Sequence, residues 1–312
     1  MTHRVFVDGQ EGTTGLQIHA LLARRTDLDV LTIDAAERKD PAARARLLNA
    51  ADIAFLCLPD DAARAAVELV TNPDTCIIDA STAHRTAPGW TFGLPELAPE
   101  QRGRLRAAKR IANPGCHATA FILLLRPLID AGLVPAGALV TATSVTGYSG
   151  GGKKMIEQYE TDDDARLKAP RQYALSLVHK HVPEMMTHTG LEHRPLFMPI
   201  VSNFYKGLAV SVPLHLSQLA PGTDGASLHR ALSARYAGER FVRVLPLGAQ
   251  QDGYLDVQAC NDSNDCEIMV FASETQAVLV ARLDNLGKGA SGAAVQSMNL
   301  HLGVDESLGL TP

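Results

Sequence analysis

Val5-Phe6-Val7-Asp8-Gly9-Gln10-Glu11-Gly12-Thr13-Thr14-Gly15 is the stretch that decides the fold of the 312-residue chain. Three apolar residues read as a buried strand, glycines at 9, 12 and 15 as a tight turn, and residues 16–25 as the helix that follows. Glycines let backbone N–H groups approach a pyrophosphate at the helix N-terminus. The spacing is G-x-x-G-x-x-G rather than G-x-G-x-x-G, and glycines alone would signal only a turn. The strand before and the helix after are what a dinucleotide loop requires.

Working outward, short apolar runs at 29–33, 53–58 and 76–78 alternate with amphipathic stretches at 42–49 and 62–70. Strands separated by helices of this length imply βαβ units, hence a parallel sheet with helices on both faces, an α/β Rossmann-type domain. Asp34 closes the second predicted strand, about twenty residues past the loop, where a carboxylate would hold the ribose 2′-OH of NAD. Arg38 and Lys39 follow, and would pair with the 2′-phosphate of NADP. Asp34 equally suits a strand-end turn and the basic pair a solvated helix start, so the residues leave the choice open.

The texture then changes. Residues 139–145, 241–245, 266–271 and 277–283 read as strands, and 208–216 places Leu208, Val210, Val212, Leu214 and Leu216 on one face. Such runs predict an α+β domain whose mixed, largely antiparallel sheet is covered by helices on one face. The boundary falls near Asn113-Pro114-Gly115, a turn signal. No internal repeat or low-complexity tract interrupts the chain.

After that turn comes Cys116-His117-Ala118-Thr119, and the apolar run 118–125 reads as a buried helix. Cys116 therefore stands at a helix N-terminus, where the dipole and first-turn N–H groups favour a thiolate and hold a developing oxyanion. Cys57, Cys76, Cys260 and Cys266 lie in or beside strands and read as structural. His117, adjacent to Cys116, is read as pointing elsewhere, structural or exposed. A thiolate nucleophile needs a proton shuttle, and His179-Lys180-His181-Val182-Pro183-Glu184 supplies two imidazoles. Two histidines at i, i+2 also suit zinc, but no third ligand follows at a recognised spacing, so no metal is expected.

Two further glycine segments precede helix-like stretches. Gly147-Tyr148-Ser149-Gly150-Gly151-Gly152-Lys153-Lys154 offers N–H groups and cations to an anion. Gly287-Lys288-Gly289-Ala290-Ser291-Gly292 lacks the order of a phosphate loop and also reads as close helix packing.

Composition excludes other classes. Hydrophobic residues at 46% and charged residues at 20% describe a folded globule. Twenty-nine Lys and Arg against thirty-four Asp and Glu give a net charge of −5, with no bulk pull toward nucleic acid or an anionic membrane. The run 118–125 stops at Arg126-Pro127, too short to cross a bilayer. Thr2-His3-Arg4 leads straight into the first strand, so no signal peptide is expected, and five cysteines fit reduced thiols in a cytoplasm.

A dinucleotide loop, a nucleophilic Cys opening the second domain and a later His together resemble the phosphorylating aldehyde dehydrogenases of the aspartate-semialdehyde dehydrogenase-like superfamily. Within them the chain is most similar to the short form of the N-acetyl-gamma-glutamyl-phosphate reductase family. The likeness rests on G-Q-E-G-T-T-G at 9–15, P-G-C-H-A-T at 114–119, T-G-Y-S-G-G-G-K at 146–153, H-K-H-V-P-E at 179–184 and G-K-G-A-S-G-A-A-V-Q at 287–296.

The resemblance implies NADPH, with Gly9, Gly12, Thr13, Thr14, Gly15, Arg38, Lys39, Gly289, Ser291 and Gly292 at the cofactor. It implies Cys116 as nucleophile and His181 as acid/base, with His179 the other candidate for the proton. Glu184, His179, Arg85, Ser149 and Gly150 become substrate contacts, although Glu184 equally suits an orienting role and Arg85 a surface ion pair. It returns residues 286–312 to the first domain, 1–115, and makes 116–285 the catalytic and oligomerisation domain of a homo-oligomer. The implied reaction reduces an acyl phosphate to an aldehyde in arginine biosynthesis. Another acyl-phosphate reductase, such as an aspartate-semialdehyde dehydrogenase, and a non-catalytic NADP-binding sensor are the alternatives.

Overall fold

The computed structural model describes residues 2–249 and 252–311. The chain divides into two compact units, one formed by residues up to Pro114 together with Ala290–Thr311, the other by Gly115–Gly289.

In the first unit, β1 (His3–Asp8), α1 (Thr13–Leu22), β2 (Leu28–Leu31), α2 (Pro41–Ala50), β3 (Ile53–Leu56), α3 (Asp60–Glu68) and β4 (Cys76–Asp79) alternate. β5 (Thr91–Phe92), α4 (Gln101–Ala107) and β6 (Arg110–Ala112) complete the run. All pairings in this sheet are parallel, in the order β2-β1-β3-β4-β6-β5. Period-two alternation sorts the side chains. Val5, Val7, Ile53, Phe55, Cys76 and Ile78 pack on one face with Ile18, Leu22 and Leu105. Phe6, Ala54, Leu56 and Ile77 pack on the other with Leu48, Ala51, Ala63 and Ala66. Because β2 and β3 flank β1, the strand order reverses at β1, and a crevice opens beyond the carboxyl ends of the strands there.

The second unit opens with α5 (Cys116–Asp130), followed by β7 (Thr141–Gly147), α6 (Lys153–Thr161), β8 (Arg171–Gln172), α7 (Val182–Thr189), β9 (Leu196–Ser202) and β10 (Leu208–His215). Then come α8 (Gly225–Arg235), β11 (Val242–Val244), β12 (Cys266–Ala272) and β13 (Gln276–Leu283). The seven-stranded sheet runs β11-β12-β13-β10-β7-β9-β8. Its pairings are antiparallel except β11 with β12 and β7 with β9. α5 packs on β10 and β13, with α7 and α8 beside it. The chain then re-enters the first unit as α9 (Gly292–Leu302), whose Ala294, Val295 and Met298 join the cluster around Val5.

The apolar run at 118–125 extends into a longer helix than its sequence suggests. Pro127 lies inside α5 and has no N–H to give the carbonyl of Leu123. That buried carbonyl accepts the Tyr236 hydroxyl instead, at 2.7 Å. Tyr236→Phe strands the carbonyl, so it is expected to cost about 1–3 kcal/mol of unfolding free energy in urea titration. A neutral result would mean that the carbonyl finds another donor.

Candidate active site

Cys116 is the first residue of α5, and Gly115, its N-cap, carries no capping side chain. Thr119 N donates to Gly115 O, starting the helical ladder. The Gly115 N–H donates to Glu184 Oε2 at 3.1 Å, from a carboxylate only 1% exposed on α7. His181 is the N-cap of α7, so this one bond ties the segment holding the imidazole to the residue preceding the thiol.

Cys116 Sγ and one ring nitrogen each of His117 and His181 lie within 4.8 Å of one another. His117 therefore does not point away from the thiol, and it is buried rather than exposed. At the first turn of a helix, adjacent side chains can both face the loop that precedes it. Its Nδ1 lies 2.8 Å from Ser144 Oγ on β7 and its Nε2 3.0 Å from Tyr173 OH. Burial foremost, then the neighbouring His179 and Lys180, lower its pKa to about 3. Burial likewise raises the Tyr173 hydroxyl, and the neighbouring Cys116 adds to the rise. His179 Nδ1 accepts the His181 backbone N–H at 3.2 Å. The His179 ring stands 4.8 Å from that of His181, and both His117 and His179 meet the edge of Phe197.

Gly289 forms another wall of this site. A Cβ there would stand 2.7 Å from the Cβ of Cys116, so only glycine permits the approach. The neighbouring Lys288 is fully buried, its ammonium 5.8 Å from the Phe241 ring centre. Ser149 is buried in the turn after β7, where its Oγ accepts from Asn285 Nδ2 at 3.0 Å, while Gly150 is exposed. Asn285 Oδ1 in turn accepts the Gly207 N–H.

The other expected residues lie in the first unit. Gly9 has φ +86°, and a Cβ there would overlap the carbonyl of Cys57, so the turn after β1 needs glycine. Gly12 is the N-cap of α1 with no side chain to close it, and Thr13, Thr14 and Gly15 form the first turn. Its N–H groups suit a pyrophosphate. Beside the loop is a cavity of about 280 Å³ lined by Asp8, Gly9, Gln10, Glu11, Ile33, Arg38, Lys39, Arg44, Leu58 and Ala62. Arg38 pairs with Glu11 at 2.6 Å and Arg44 with Asp8 at 2.7 Å. These cations fit the 2′-phosphate of NADP. Arg44 was not legible as part of this group, because it stands on the helix after Arg38 and Lys39.

Asp34 does not close a strand, because β2 ends at Leu31. Its carboxylate accepts the Ala36 N–H, a local turn bond competing with strand pairing. Ser291 Oγ donates to Gln17 Oε1 of α1 at 3.0 Å, and Gly292 opens α9. Arg85 is buried rather than on the surface, and its Nη2 donates to Ala80 O. The same segment carries a buried cluster in which Ser81 Oγ donates to Asp79 and His84 Nδ1 lies 2.6 Å from Asp79 Oδ2. The His84 ring stacks on Trp90 at 4.0 Å.

Residues 4–104 match the semialdehyde dehydrogenase NAD binding domain family and residues 116–285 the semialdehyde dehydrogenase dimerisation domain family. The chain is 50% identical to the N-acetyl-gamma-glutamyl-phosphate reductase of Burkholderia cenocepacia, over 97% of this chain and 98% of that one. It is 49% identical to N-acetyl-gamma-glutamyl-phosphate reductase 2 of Pseudomonas putida, over 98% of each. In fold it is similar to the crystal structure of aspartate semialdehyde dehydrogenase II of Vibrio cholerae complexed with ASA, with a TM-score of 0.72 at 17% identity over 97% and 98% of the two chains. The enzyme from Francisella tularensis gives 0.71 at 14% identity, over 96% and 99%.

The state of His117 sets a pH dependence. Unfolded, it binds a proton below about 6.5; folded, only near 3. Between those values the unfolded state holds more protons, so acid destabilises the native state. Each unit of pH lost costs up to about 1.4 kcal/mol. Denaturant titrations across that window are expected to show the slope in the wild type and its loss in His117→Gln. An unchanged slope in the variant would assign it to another group.

Proposed function

The chain belongs to the semialdehyde dehydrogenase family, in its N-acetyl-gamma-glutamyl-phosphate reductase branch, and from that membership we propose how its residues divide the reaction. The enzyme is an NADP-dependent oxidoreductase of arginine biosynthesis. It reduces N-acetyl-gamma-glutamyl phosphate to N-acetyl-glutamate 5-semialdehyde and releases phosphate, reversibly.

The observation that carries the assignment of roles is the thiol of Cys116 at the start of α5 beside the imidazole of His181. The Cys116 thiolate attacks the acyl carbon, the first-turn amides of α5 hold the developing oxyanion, and phosphate departs with the C–O electrons. His181 holds the proton that the thiol gave up in becoming a thiolate, and the departing phosphate takes its proton from water. Bound NADPH would supply the hydride that reduces the carbon of the resulting thioester to a thiohemiacetal alkoxide. Its oxygen takes a proton from His181. His181 then recovers the hydroxyl proton as the C–S bond breaks, releasing the aldehyde and restoring the thiolate. His181 is favoured over His179 because it shares the close group with Cys116, whereas His179 Nδ1 is committed to the His181 backbone. Glu184 orients the two segments through Gly115, and His117, Tyr173 and Phe197 fix the rings.

Arg38 and Lys39, with Arg44 held by Asp8, bind the 2′-phosphate, and the loop 9–15 binds the pyrophosphate. Gly289, Ser291 and Gly292 complete the cofactor contacts. Arg85, the Ser149 hydroxyl, Gly150 and the His179 ring serve the anionic substrate. The match to a dimerisation domain supports a homo-oligomer formed through the second unit. Among the described residues no helix is long and apolar enough to cross a membrane. A thiolate that must stay reduced fits a cytoplasmic setting.

The purified enzyme is expected to reduce NADP with N-acetyl-glutamate 5-semialdehyde only when phosphate is present. Cys116→Ser should abolish turnover with unchanged circular dichroism, and His181→Asn should lower kcat about 10²–10⁴-fold. Turnover retained in Cys116→Ser would overturn the thioester route. A higher kcat/KM with aspartate semialdehyde would overturn the substrate.

A further inference from the structure

The reduction uses one thiolate and one imidazole, yet the fold assembles more donors than that around Cys116. Sγ of Cys116 and a ring nitrogen each from His117 and His181 are mutually within 4.8 Å. The His179 ring is 4.8 Å from His181 and 5.5 Å from His117, centre to centre. Thiolate sulfur and neutral imidazole nitrogen are the donors Zn²⁺ takes in tetrahedral sites. With Zn–S near 2.3 Å and Zn–N near 2.0–2.1 Å, such donors stand about 3.3–3.7 Å apart. Side-chain rotation of about 1 Å closes the difference.

The His117 and His179 rings are each oriented by hydrogen bonds, as a ligating imidazole needs. His117 has a hydroxyl at each nitrogen, Ser144 on one side and Tyr173 on the other. An ion displaces one, and the other still fixes the ring. His179 Nδ1 accepts the His181 N–H, so coordination by this ring runs through Nε2. The Glu184 carboxylate accepts the Gly115 N–H, and among the described residues the close group contains no carboxylate. A donor set of sulfur and nitrogen selects against hard cations such as Mg²⁺ and Ca²⁺.

We propose that this cluster is a reversible inhibitory site for Zn²⁺ and similar borderline divalent cations. The ligands are Cys116 Sγ and one nitrogen each of His117 and His181, with His179 Nε2 or water in the fourth position. Binding releases the one proton shared between Cys116 and His181 and forms S–Zn and N–Zn bonds with no change of oxidation state. The ion occupies the sulfur lone pair that would attack the substrate. Metal binding stands on the geometry alone; inhibition rests on Cys116 being the nucleophile, as proposed above.

The test uses the full chain stripped of metal, with Co²⁺ as the spectroscopic probe. A thiolate-to-cobalt charge-transfer band at one ion per chain is expected, displaced by Zn²⁺, absent in Cys116→Ser, and requiring at least about tenfold more Co²⁺ in His117→Gln. Zn²⁺ should also protect the Cys116 peptide of the wild type from iodoacetamide, read by mass spectrometry, which needs no variant to fold. Zn²⁺ should inhibit turnover competitively with the acyl phosphate and be reversed by chelator, with Mg²⁺ inert. No charge-transfer band, a band that survives Cys116→Ser, or no protection by Zn²⁺ overturns the site. A normal band in His117→Gln overturns the ligand set. A protein with the full cobalt signature but no reductase activity would retain the site and overturn only the functional reading.

Discussion

The hydrogen bond from the Gly115 N–H to the buried carboxylate of Glu184 sets the geometry on which the cysteine–histidine cluster of the second unit depends. A carboxylate this deeply buried costs several kcal/mol unless it is bonded, and here it meets an amide at the positive end of α5. The bond joins a residue one position before Cys116 to one three positions after His181. α5 and α7 therefore cannot slide independently, and the separation of thiol and imidazole is fixed by their neighbours rather than by themselves. Gly289 is constrained by the same arrangement: with the thiol held at the start of α5, no Cβ fits on the segment that leaves the unit. A π-helical turn, Gly287–Ser291, carries the chain past this point, an irregularity that recurs at functional sites.

The first unit was largely legible because its signals are local. Val5 and Val7 alternate with Phe6, and the structure puts them on opposite faces of the sheet. The glycine loop and the turn before Cys116 are likewise contiguous in sequence. What escaped reading depends on distant partners. β9 contains Pro199, which reads as a strand breaker, yet the strand pairs on both sides: its Pro199 carbonyl accepts the Tyr173 N–H. α5 continues through Pro127 because Tyr236, more than a hundred residues on, satisfies the freed carbonyl. His117 could not be assigned from its position beside Cys116, since its partners, Ser144 and Tyr173, come from β7 and from the loop before the two catalytic-segment histidines. Asp34 stayed open between a ribose contact and a turn because both suit a carboxylate at that interval; here a turn amide two residues away engages it.

The cysteines show why setting, rather than residue type or exposure, decides reactivity. Burial pushes the thiols of Cys76 and Cys260 up to about 12, so neither offers a thiolate near neutral pH. Cys57 keeps some surface, as Cys116 does, and exposure does not separate them. The local field does. Desolvation together with the carboxylates of Asp79 and Asp8 raises Cys57 to about 12 as well. Cys116 instead opens α5, with ring nitrogens of His117 and His181 within 4.8 Å and with the Gly115 N–H before it bonded to Glu184. In the proposed route the helix start would hold the oxyanion that develops during acyl transfer. The same setting also makes the sulfur a metal donor. Catalytic competence and sensitivity to soft cations thus have one physical origin, and a change that relieved the second by withdrawing the imidazoles would weaken the first.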